Sequence, residues 1–100
     1  MAMPENANTA EAIKTFFEEL GYDFIVRKDR YGYSIADENT ALPVARLRTR
    51  ADGRFEVMYR SHRMRWEHIG DFGGVLMTLN EALPYIANDE FDLFLARLGE

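Results

Sequence analysis

The sequence predicts an α+β domain: a two-layer sandwich with an N-terminal helix, a five-stranded antiparallel meander, and one or two C-terminal helices on the apolar face of the sheet. Three observations carry this. Residues 43–68, PVARLRTRADGRFEVMYRSHRMRWEH, alternate apolar and mostly arginine positions with a period of two, the mark of half-buried strands. Stretches on either side repeat their apolar residues at helical spacing. The links between elements are short, which favours antiparallel neighbours.

Length and composition bound the answer. One hundred residues, 47% hydrophobic and 29% charged, suit a single core with no room for a second domain. Residues 1–7 read as a flexible tail and 8–100 as the domain. Cysteine is absent, which excludes a disulfide framework and thiolate metal ligation and fits a reducing compartment. The opening MAMPENANTAEAIK has no basic start and no apolar run, and nothing approaches a membrane span, so a soluble cytoplasmic protein is expected.

The elements follow in order. Asn8 and Glu11 have capping-box spacing, Ile13, Phe16, Phe17 and Leu20 share one helical face, and Gly21 supplies the stop. Residues 22–27 and 31–36 are rich in aromatic and β-branched side chains around a polar turn at Lys28, Asp29 and Arg30, a hairpin. Residues 37–42 form a loop, and Pro43 opens the next strand.

In the arginine-rich stretch, one parity holds Ala45, Leu47, Phe55, Val57, Tyr59, Met64 and Trp66 and should face the core. The other holds Arg46, Arg48, Arg50, Arg54, Arg60, Arg63 and Arg65, broken by Glu56, Met58 and Glu67. A two-residue Asp52-Gly53 loop would mix these faces. A three-residue loop, 51–53, with Gly53 in the left-handed position sets Leu47 opposite Val57 and Arg48 opposite Glu56. For the second hairpin, two- and four-residue loops give one register, with Tyr59 opposite Met64 and Val57 opposite Trp66. His68 then falls on the core parity.

The glycine-rich run 70–74 is expected to end the sheet. Thr78 and Glu81 again have capping-box spacing, but Pro84 predicts a short or broken helix. Asp89 caps a last helix in which Phe91, Phe94, Leu95 and Leu98 share a face.

Function rests on charge. The chain carries net −5, yet residues 42–66 carry +5 and residues 67–100 carry −6, so a basic sheet face is set against acidic helical ends. Guanidinium forks suit carboxylate and phosphate. The binding candidates are therefore Arg46, Arg48, Arg50, Arg54, Arg60, Arg63 and Arg65. The partner they suggest is an acidic protein surface held by a non-enzymatic adaptor domain. Nucleic acid comes second, because the aromatics needed for base stacking share the core parity. A solvated, soluble face is the bland explanation of the same pattern. A monomer and a homo-oligomer are both open.

Catalytic chemistry finds no constellation. His62 and His68 have no ligand-spaced companions, and residues 70–74 match neither phosphate-loop nor dinucleotide patterns. Asp89, Glu90 and Asp92 are explained as a helix cap. No catalytic residue, metal or cofactor is expected.

Overall fold

The computed structural model describes residues 5–50, 52–61, 63–69, 75–89 and 93–95, with the backbone alone for 5–8. It is the expected α+β sandwich. Helix α1 spans Glu5–Glu19, beginning three residues before the Asn8 cap position. Strands β1 (Phe24–Asp29), β2 (Gly32–Asp37), β3 (Pro43–Thr49), β4 (Phe55–Arg60) and β5 (Trp66–His68) form an antiparallel sheet in chain order. A short β6 (Leu76–Met77) and helix α2 (Leu79–Asn88) follow.

The core lies between the helices and one sheet face. Ile13 and Phe17 of α1 and Ala82, Leu83 and Ile86 of α2 pack with Phe24, Tyr33, Ile35, Leu47, Phe55 and Val57. Phe17, Tyr22 and Phe24 form an aromatic cluster with ring centroids 5.1 to 6.5 Å apart. Among the described residues no helix is long and apolar enough to cross a membrane.

The first arginine hairpin has the expected register, Leu47 opposite Val57 and Arg48 opposite Glu56. Arg50 N–H donates to Arg54 carbonyl at 2.9 Å, Gly53 N–H to Arg50 carbonyl at 3.1 Å, and Gly53 has φ +83°. This is the three-residue loop with a left-handed glycine.

The second hairpin corrects the expected register. It repeats the first: Ser61 N–H donates to Arg65 carbonyl at 2.8 Å, Met64 N–H to Ser61 carbonyl at 2.9 Å, and Met64 stands in the left-handed position at φ +63°. The loop is therefore three residues, not two or four, and the faces of β5 exchange. Arg60 pairs with Trp66, Tyr59 with Glu67 and Met58 with His68. Trp66 and His68 accordingly lie on the arginine face, not on the core parity.

Three further differences matter. The sheet does not end after β5, because β6 resumes the same edge of β4, pairing Glu56 with Leu76 and Phe55 with Met77. Residues 70–74 themselves are outside the described residues. Helix α2 runs unbroken through Pro84; the carbonyl that loses its bond is that of Asn80, an exposed residue, which limits the cost. Of the expected last helix only residues 93–95 are described. Leu93 and Phe94 N–H groups donate to Asp89 Oδ1 at 2.8 and 2.9 Å, so Asp89 caps this segment.

The β1–β2 turn is also tighter than expected. Asp29 pairs with Gly32 across Arg30 and Tyr31, and its Oδ1 accepts from Tyr31 N–H at 2.8 Å and Gly32 N–H at 3.0 Å. Gly32 must be glycine. A Cβ there would lie 2.0 Å from the Leu47 carbonyl oxygen, inside the β2–β3 ladder.

Candidate anion-binding face

The sheet face away from the helices is built from alternate residues of every long strand. It presents Arg27 and Asp29 from β1, Gly32 and Ser34 from β2, Arg46 and Arg48 from β3, Glu56, Met58 and Arg60 from β4, and Trp66 and His68 from β5.

Its arginines differ in what they already hold. Arg46 is tied down: Nη2 donates to Asp29 Oδ1 and Oδ2 at 3.1 and 3.0 Å, and Nη1 to Ser34 Oγ at 2.6 Å. Arg50 reaches the buried Glu56, Nη1 to Oε1 at 3.7 Å. Arg54 folds back on the turn, its Nε and Nη2 donating to Asp52 Oδ2 at 2.8 and 2.6 Å. Arg48 instead lies over the Tyr31 ring, 6.0 Å from its centroid, and Arg60 over Trp66 at 5.5 Å. Both separations suit cation–π attraction.

Of the seven arginines that the alternation predicts on one face, the structure brings four together: Arg46, Arg48, Arg50 and Arg60. Arg54 occupies the hairpin end, its charge matched by Asp52. Arg63 lies in the second loop, and Arg65, one residue before Trp66, takes the opposite parity. Arg27 joins from β1, outside the stretch whose alternation is so plain.

Glu56 takes its expected place on this face, but its burial is not expected. Its side chain is 3% exposed among the arginines. Register sets it opposite Arg48, but its contacts run to Arg50 and to His68, whose Nδ1 lies against Oε2. Oε2 accepts no hydrogen bond from any other described group. A carboxylate in this position offsets part of the arginine charge and restrains His68.

Asp29 is held below its ordinary 3.8, first by the Tyr31 N–H it accepts and then by Arg46. Asp52 is lowered likewise, chiefly by Arg54. Both are carboxylates at neutral pH.

Beside Arg46 and Arg48 lies a hollow of about 340 Å³, lined by Tyr31, Arg46, Arg48 and Met58. Its origin is steric. The residues of β2 beneath these arginines are Gly32 and Ser34, small enough for both side chains to lean over β2 toward Asp29 and Tyr31. The largely buried Met58 of β4 lies at the floor. Sequence reading missed Tyr31, Met58, Trp66 and His68. The signal that could have found Trp66 and His68 was the second hairpin's likeness in length to the first.

Among the described residues no cluster of three or more His, Asp or Glu side chains is placed to hold a metal. No curated protein and no solved structure matches this chain. A family model does match, covering residues 4–96 and thus nearly the whole chain, and the protein belongs to that family, described as a Domain of unknown function (DUF3024).

Proposed function

We propose that this domain is a non-catalytic cytoplasmic binding module that holds single-stranded nucleic acid on its arginine face. The observation that carries the reading is the occurrence of two arginine–aromatic pairs, Arg48 with Tyr31 and Arg60 with Trp66, on one sheet face. Sequence alone favours an acidic protein partner, on the ground that the aromatics are buried on the core side. Phe55 and Tyr59 keep the core side, but Trp66 and the 54% exposed Tyr31 weaken that ground. Aromatic rings bind bases by stacking, and arginines between them meet the phosphates.

The two pairs sit diagonally across the sheet, their rings roughly 20 Å apart at about 3.3 Å per residue along strands and about 4.8 Å between them. That span suits a strand of a few nucleotides. Helix α1, with Glu11, Glu18 and Glu19, lies on the other layer, so its negative charge is set away from the arginine face.

An acidic protein segment is the second reading. Its specific support is Asp29, which already sits as a carboxylate in the Arg46 fork.

Fluorescence anisotropy with a labelled ten-nucleotide RNA, at about 50 and about 200 mM salt, tests the proposal. Binding that weakens steeply with salt and is lost in Trp66→Ala supports it. Absence of binding to RNA and single-stranded DNA at the lower salt, with binding to an acidic peptide, turns the reading to the second.

A further inference from the structure

We infer that the hollow between Tyr31 and Met58 is a nucleobase pocket, taking one planar base with its phosphate on Arg48. This rests on the nucleic-acid reading and goes further by naming which part of the ligand enters the sheet.

The argument turns on what Arg46 and Arg48 have left to offer. Arg46 has committed Nη1 to Ser34 and Nη2 to both oxygens of Asp29. Those bonds use three of its five N–H groups and hold the guanidinium in one plane, and Arg46 lines the hollow in that fixed position. A planar guanidinium held in this way can stack on another plane, and its bidentate edge toward Asp29 is already occupied. Arg48 has no carboxylate partner among the described residues and keeps its charge for an anion. Tyr31 supplies a ring at the rim, with Arg48 over one face of it.

The floor points the same way. Met58 is 7% exposed, apolar and flexible, and its sulfur is a good neighbour for an aromatic edge. Met58 offers a carboxylate no hydrogen bond, so an anionic group is better placed at Arg48 on the rim with an apolar plane against the floor. The 340 Å³ volume lies at the low end of small-molecule sites, about 300 to 1,000 Å³. A base with its sugar and phosphate partly outside fits that size.

The test uses the full chain with carbon-13 methionine methyls, titrated with adenosine 5′-monophosphate, ribose 5-phosphate and the ten-nucleotide RNA. Adenosine monophosphate should shift the Met58 methyl by ring current while the 68% exposed Met64 stays in place, and ribose 5-phosphate should leave Met58 unmoved. Tyr31→Leu should weaken that titration about tenfold, the scale of one stacked base, whereas Tyr31→Phe keeps it. Tighter binding of the nucleotide than of the RNA marks a free nucleotide as the source, and the reverse marks a strand.

RNA that binds by anisotropy without moving Met58 overturns the pocket and leaves the face reading intact. RNA that does not bind overturns the strand reading, and if adenosine monophosphate also leaves Met58 unmoved the pocket is overturned with it. An oligo-glutamate peptide that shifts Met58 as adenosine monophosphate does also overturns the base assignment.

Discussion

Arg46 grips Asp29 from two strands away, with Nη2 on both carboxylate oxygens at 3.1 and 3.0 Å. The same carboxylate accepts the Tyr31 and Gly32 N–H groups that close the β1–β2 turn. One side chain thus fixes both the turn that carries Tyr31 and the arginine beside it.

Asp29→Ala should therefore lower stability by about 1 kcal/mol at neutral pH, a figure kept small because the side chain is 46% exposed. The sign with pH follows from its depressed folded value. The contribution is present above the unfolded pKa and is lost as pH falls through the folded one, below 3.8. Urea unfolding of the two proteins should differ at neutral pH and converge in strong acid.

Gly32→Ala should be far more damaging, costing about 3 kcal/mol or more, because the new Cβ meets the Leu47 carbonyl at 2.0 Å and the Arg48 Cα at 2.9 Å. Backbone atoms in a central ladder cannot move aside. Loss of cooperative unfolding by circular dichroism is the expected readout, with Gly21→Ala, where a Cβ has open space, as a milder comparison.

Met64→Gly should stabilise the protein by about 1 kcal/mol, since a left-handed backbone costs a methionine about that much and costs glycine little. The urea midpoint should rise with an unchanged slope.

That same methionine explains where sequence reading stopped. The register of β3 and β4 was legible because Gly53 marks the left-handed position and the Leu47–Val57 and Arg48–Glu56 pairings keep each face uniform. Met64 does the same task without the mark, so the sequence predicts a loop of two or four residues and the opposite face for Trp66 and His68. The helices were legible from periodicity, though α2 tolerates Pro84 because its orphaned carbonyl belongs to an exposed residue. The Asp29–Arg46 pair was not legible: it joins side chains seventeen positions apart through a turn whose tightness depends on Asp29 itself. Burial of Glu56 escaped for a similar reason, since His68 was assigned to the other side.

Glu56→Gln should raise RNA affinity several-fold. It keeps the shape of the buried side chain but removes the charge that offsets Arg50 and faces His68. Anisotropy at low salt should show the gain, shrinking as salt rises.

The most direct measurement of the central claim compares two charge reversals of equal size, Arg48→Glu on the face and Arg63→Glu in the loop beyond it, by RNA anisotropy across a salt series. For wild type and Arg63→Glu the account predicts binding whose logarithm falls linearly with log salt, at about −0.7 per phosphate contacted. For Arg48→Glu it predicts loss of binding with the fold retained. Equal loss in both variants, or RNA binding in neither wild type nor variant at low salt, would contradict it.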